Sequence, residues 1–219
     1  MRGARPLTDP EVQQMLNKGF TGNYHHRNRS LFAIGISTGF RASELLALQM
    51  RDVMHRKYPK DWIALERRHT KGKTQGRTNR LMEFAKKALQ PWIDARLATT
   101  ELAELLDEPL FISREVDTRT RQIQSISLRR AGMILADAYQ RCGITGSVST
   151  HSMRKTFAKK AYQDAIEKFQ TGKLMKEPIF VVKDQLGHMH IQTTLRYLSF
   201  LGSELSEDVF SYQVEVSTH

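Results

Sequence analysis

Six side chains stand out in this sequence because their types could do chemistry together: Arg41, Lys71, His151, Arg154, His188 and Tyr197. Arg41 lies in Thr38-Gly39-Phe40-Arg41-Ala42-Ser43-Glu44-Leu45, and Lys71 follows Thr70 in a polar stretch that also holds Lys73. His151-Ser152-Met153-Arg154 and Leu186-Gly187-His188 come later, with Tyr197 nine positions after His188. A guanidinium keeps its charge at neutral pH and offers planar, paired donors that match phosphate oxygens. Arg41 and Arg154 are therefore candidates for meeting the charge that builds on a phosphodiester under attack, where each preorganised donor is worth about 10²–10³-fold in rate. A phenol has a pKa of about 10, so Tyr197 as a nucleophile needs cations and a base nearby. His151, three residues before Arg154, shares a helix face with it and is placed for the base role.

Each residue taken singly also has an ordinary reading. Arg41 is a surface cation, Lys71 and Lys73 are solvated turn lysines, and His151 is a helix-start residue. His188 is a histidine favoured at a helix C-terminus by the dipole, and Tyr197 packs into a core beside Leu195 and Leu198. The joint occurrence weighs against that set of coincidences. Other chemistries find no support. Gly72-Lys73-Thr74 resembles the end of a phosphate-binding loop, but the required first glycine is Arg67. No G-x-G-x-x-G, H-E-x-x-H or G-x-S-x-G occurs. His25-His26 and His188-Met189-His190 have no acidic or Cys partner at ligand spacing, so no metal or other cofactor is expected.

The 219 residues suit one sizeable domain or two small ones. With 34 Lys plus Arg against 23 Asp plus Glu, the net charge of +11 points to a polyanionic partner, nucleic acid before membrane. A single cysteine, Cys142, excludes an intrachain disulfide and a four-Cys zinc site. The first ten residues lack the apolar core of a signal peptide, and no run of about 18 apolar residues occurs, so a reducing, cytoplasmic setting is expected.

The elements that must position these residues are mostly helices. Thr8-Asp9-Pro10-Glu11 is a helix start. Asn28 to Ser37 reads as a buried helix broken at Thr38-Gly39, and another begins at Ser43. Strand-like pieces, Trp62 to Arg68 and Asn79 to Phe84, flank a turn-rich loop and predict a β-hairpin carrying Lys71. Helical patterns follow over Phe84 to Leu105, Ser127 to Cys142, Thr150 to Phe169, Phe180 to Leu186 (stopped by Gly187) and Thr193 to Phe200, with a weaker one over Glu204 to Tyr212. Between them, Gln170 to Pro178 reads as a loop.

The ordered set Arg41, Lys71, His151-x-x-Arg154, Leu186-Gly187-His188 and Tyr197 closely resembles the catalytic domain of the tyrosine recombinases, the phage-integrase family. The resemblance covers nearly the whole chain and implies a mainly α fold with a small antiparallel three-stranded β-sheet (α+β). It implies that Tyr197 attacks a DNA phosphate to give a 3′-phosphotyrosyl link, and that Lys71 protonates the leaving 5′-oxygen, with Lys73 as competitor. His188 would hydrogen-bond the phosphate, and Glu44 would hold Arg41 or a neighbouring histidine. No metal or ATP is implied. The partners are double-stranded DNA and further copies of the chain, four on two duplexes exchanging strands through a Holliday junction. The expected organisation is one catalytic domain over 1–219, with a core to 197 and a tail, 198–219, that either docks on its own domain or, as the resemblance implies, exchanges between protomers. Arg41 comes too early to leave room for the usual N-terminal core-binding domain, so the chain is either a catalytic fragment or an unusually short recombinase. Some 34 positions separate Arg154 from His188, more than in compact members of the family, which places the extra chain in Ile166 to Pro178. The rivals are a type IB topoisomerase, which rejoins the same strand, and a basic DNA-binding regulator without chemistry.

Overall fold

Residues 3–66, 76–116 and 123–198 are described by a computed structural model. Helix α1 (Asp9–Lys18) begins as its sequence signals: Thr8 Oγ1 accepts the Glu11 N–H at 3.4 Å, while the Glu11 carboxylate accepts the Thr8 N–H at 2.8 Å. This capping box satisfies two helix-end donors at once. Helix α2 (His25–Thr38) is buried at every position from Ser30 onward, which makes it the central helix of the molecule. It ends at Gly39, whose φ of +65° lets its N–H return to Gly35 O at 3.0 Å. Short helices α3 (Ala42–Leu46) and α4 (Met50–Val53) follow.

Strands β1 (Met54–His55) and β2 (Tyr58–Pro59) form one antiparallel pair, and β3 (Trp62–Leu65) and β4 (Arg77–Arg80) another, in register from Trp62↔Arg80 to Leu65↔Arg77. Helix α5 (Glu83–Leu97) lies along α2, and α6 (Leu102–Leu105) is a single turn. A third pair, β5 (Ile112–Val116) with β6 (Ile123–Ser125), precedes the last four helices. These are α7 (Leu128–Arg141), α8 (Thr150–Gln170), α9 (Pro178–Leu186) and α10 (Ile191–Leu198).

The mainly α architecture with antiparallel strands is as expected, but several details differ. Among the described residues the strands make three separate two-stranded ladders, not one three-stranded sheet. The tight reversal at Arg56, with φ of +54°, folds β1 back on β2 before β3 begins. The second hairpin strand is Arg77–Arg80, earlier than Asn79 to Phe84, because Met82 O already accepts the Ala85 and Lys86 N–H groups that start α5. The long helix expected to Leu105 breaks at 98–101. There the Thr99 hydroxyl bonds Arg96 O at 3.2 Å, a local alternative to helix propagation. Lys71, Lys73, the loop bearing them and the tail 199–219 lie outside the described residues.

Two apolar clusters hold the fold. The larger joins α1, α2, α5 and α7 with the strands, around side chains such as Met15, Phe32, Ile34, Leu45, Ile63, Leu89 and Phe111. The smaller joins α8, α9 and α10 through Ala158, Val182, Leu186 and Leu198, with Phe157 and Tyr197 packed against it. Among the described residues no helix is long and apolar enough to cross a membrane.

Candidate active site

Arg154 is the hub where the two clusters meet. Its α8 position buries it to 2% exposure, and its guanidinium spans three elements. Nη1 donates to Gly39 O (2.6 Å) at the end of α2, and Nη2 donates to Leu186 O (2.7 Å) at the end of α9. Both carbonyls belong to helix ends, where the last C=O groups have no partner within the helix. Burial, and then the charge of Arg41, pushes the Arg154 pKa down to about 10, which still leaves it cationic at neutral pH. Gly39 admits this arrangement because a Cβ there would lie 2.2 Å from the Phe157 ring of the same α8.

His188 is aimed at Arg154 by the way α9 ends. Pro178 opens that helix, and Gly187 closes it at φ +65° with Gly187 N–H to Asp184 O and His188 N–H to Lys183 O, both 3.0 Å. This Schellman turn throws the His188 side chain inward. Its Nε2 lies 2.9 Å from Arg154 Nη2, and its Nδ1 lies 2.9 Å from Thr194 Oγ1 of α10. A guanidinium only donates, so Nε2 accepts, and the imidazole is neutral with its proton on Nδ1 toward Thr194. Burial, reinforced by Arg154, Arg41 and Arg77, lowers the His188 pKa to about 3. A solvated histidine serving the helix dipole would shift the other way.

Tyr197 follows Thr194 by three positions on the inner face of α10. Its ring meets His188 edge-on at 5.4 Å between centroids, and Arg154 Cζ and Lys155 Nζ lie 5.7 and 5.9 Å from its centre. The tyrosine is partly buried, with Leu198 beside it anchoring α10 into the smaller cluster.

Arg41 opens α3 and is tied to Glu44, three residues on. Glu44 is fully buried, taking the Arg41 N–H at 2.7 Å and Arg41 Nη1 at 2.9 Å. Burial alone would raise the Glu44 pKa, but the Arg77 bond and charge, with Arg41, outweigh it and hold the carboxyl below its ordinary value. Glu44 touches arginines, not a histidine.

The structure thus brings Arg154, His188 and Tyr197 together and ties Arg41 to Glu44. His151 stands differently. It is exposed on the first turn of α8, with its backbone N–H on Ser149 Oγ at 3.2 Å, and its ring makes no hydrogen bond or ring contact with a described residue. Three residues escaped the sequence reading. Arg77, on β4, bonds Glu44; Asn79, two positions on, bonds Thr38 O (2.5 Å) and Gln185 O (3.0 Å); Thr194 orients His188. Arg77-Thr78-Asn79-Arg80 is polar throughout, so alternation could not reveal that Arg77 and Asn79 face inward. Among the described residues no group of three or more His, Cys, Asp or Glu is placed to hold a metal ion.

The comparisons with known proteins follow the same lines as this geometry. The chain matches the Phage integrase family over residues 5–201. It is 32% identical over 163 residues to the probable integrase/recombinase YoeC of Bacillus subtilis (strain 168), covering 74% of this chain and 77% of YoeC. It is 23% identical over 190 residues to the tyrosine recombinase XerC of Histophilus somni (strain 2336), covering 85% of this chain but 54% of XerC. Among solved structures, XerA recombinase superposes with a TM-score of 0.68 at 21% identity, over 99% of this chain and 68% of XerA. XerH site-specific recombinase bound to palindromic difH substrate superposes with 0.65 at 18% identity, over 95% of this chain and 53% of XerH. The chain therefore belongs to the phage integrase family and is a tyrosine-type site-specific recombinase. It spans about half the length of the XerC relative.

Proposed function

We propose that this chain cleaves and rejoins double-stranded DNA through Tyr197. The Tyr197 oxygen attacks the scissile phosphorus, the bond to the 5′-oxygen breaks, and a 3′-phosphotyrosyl ester and a free 5′-hydroxyl remain. The 5′-hydroxyl of a partner duplex then attacks that ester and restores the tyrosine. The ester conserves the bond energy, so no ATP is consumed. Arg41 and Arg154 bind the nonbridging oxygens, His151 takes the phenol proton, and Lys71 (with Lys73 as competitor) delivers a proton to the leaving 5′-oxygen. Four protomers on two duplexes exchange strands in pairs through a Holliday junction, and the segment after Leu198 links neighbouring protomers. The DNA lies in the cytoplasm.

The observation that supports this reading best is the convergence of Arg154 from α8, His188 from the turn that closes α9 and Tyr197 from α10 on one junction. XerH, whose structure holds a difH substrate in a post-cleavage complex, has the same fold. The test uses nicked duplexes of randomised sequence, from which covalently bound strands are recovered, in buffer containing EDTA and no nucleotide. A denaturation-resistant protein–DNA adduct, followed by joining between two recovered duplexes, is expected. Relaxation of a supercoiled plasmid without joint products would favour a topoisomerase, and binding without adduct a regulator.

A further inference from the structure

Arg77 has no place in the six-residue set, yet both of its terminal nitrogens are engaged by the buried Glu44 carboxylate. Its side chain is 6% exposed, with the guanidinium 5.0 Å from the centre of the Phe40 ring. Its Nη2 donates to Glu44 Oε2 at 2.6 Å and its Nη1 reaches Oε1 at 3.4 Å. It also packs beneath the turn that carries His188, where a Cβ on Gly187 would come within 2.8 Å of Nη1. Arg41 shares the same carboxylate differently. Only its Nη1 reaches Oε1, at 2.9 Å, and its side chain keeps 30% exposure. No other bond joins the Arg41 guanidinium to a described residue.

We infer that Arg77 is a positioning residue for Arg41: by occupying most of the single buried carboxylate, it leaves the Arg41 guanidinium half-engaged and open to a DNA phosphate. Two guanidinium charges against one carboxylate leave the trio with a formal charge of +1. Remove Arg77, and Glu44 is a buried anion with one partner left. Arg41 is then drawn into a closed, charge-cancelling pair and withheld from the phosphate. Arg77 itself is too enclosed to reach DNA, so it acts through Arg41. This rests on the proposed DNA cleavage, of which it is a deeper part.

The experiment measures the rate of adduct formation at saturating protein on one nicked duplex recovered with the wild-type chain. Arg77→Gln is expected to slow the reaction about 10²-fold, as loss of one transition-state donor does, with duplex binding nearly unchanged. Adding Glu44→Gln removes the anion that captures Arg41, and is expected to restore the rate roughly tenfold, a coupling between contacting groups. Arg77→Lys keeps the charge and is expected to stay within about tenfold of wild type; it also serves if thermal unfolding shows that Arg77→Gln does not fold. A double variant as slow as Arg77→Gln, or a folded Arg77→Lys slowed about 10²-fold, would overturn the inference and leave Arg77 as packing alone. Wild-type chain that forms no adduct would overturn the cleavage reading and the inference with it.

Discussion

At Arg154, holding the fold and meeting a phosphate draw on the same five N–H donors. Three are used, on Gly39 O, Leu186 O and His188 Nε2, which leaves Nε and one hydrogen of Nη1 without a partner among the described residues. Arg154→Ala should therefore lower stability by roughly 3 kcal/mol, since two buried carbonyls lose their donors, and thermal unfolding checks this. Arg154→Lys keeps the charge without the planar fork and should slow adduct formation about 10²-fold while folding well. His188 gives a pH signature. Its pKa is near 3 when folded and 6.5 when free, so between those values the unfolded chain binds the extra proton. Stability from this group is whole above about pH 6.5 and falls as pH drops toward 3, by at most about 1.4 kcal/mol per pH unit. Denaturant unfolding across that range should show a shallower slope for His188→Gln than for wild type. The sequence exposed Arg154, His188 and Tyr197 because their motifs are short and ordered. It could not expose Arg77 or Thr194, whose roles arise only when β4 meets α3 and when α10 turns back on α9. It also placed His151 and Arg154 on one face of α8, and the structure leaves His151 open to solvent while burying Arg154.

Two glycine-ended helices aim the site. Gly39 closes α2 so that its carbonyl faces Arg154, and Gly187 closes α9 so that His188 turns inward. Both stops were readable, because a glycine after an apolar run is the usual C′ residue. Gly39→Ala meets two penalties, a left-handed backbone and a Cβ lodged in the Phe157 ring. Together they should cost about 2–4 kcal/mol, visible as a lower melting temperature, and should slow adduct formation by moving the Arg154 anchor. A melting temperature equal to wild type would mean that α8 shifts freely relative to α2. Helix cores such as Thr150 to Phe169 were equally legible from their periodicity. The short ladders were not. Met54-His55 and Tyr58-Pro59 are two-residue strands with no room for alternation, and the true start of the second hairpin strand is all polar.

For the whole molecule, a net charge of +11 should dominate encounter with DNA. Released counterions make the affinity fall steeply between about 50 and 200 mM salt, and a flat response in a fluorescence anisotropy titration would contradict a basic DNA-facing surface. The site is assembled between the larger cluster, whose Phe40 and Leu45 flank Arg41 and Glu44 in the chain, and the smaller one, against which Tyr197 packs. Its chemistry thus depends on the docking of α8, α9 and α10 as a unit, and the most direct test of the account is where DNA becomes attached. Wild-type protein trapped on a nicked duplex, digested and sequenced by mass spectrometry, should carry a nucleotide 3′-phosphate on Tyr197 alone. Tyr197→Phe should bind the same duplex and carry none. A nucleotide on any of the other five tyrosines, or an adduct that survives in Tyr197→Phe, would contradict it.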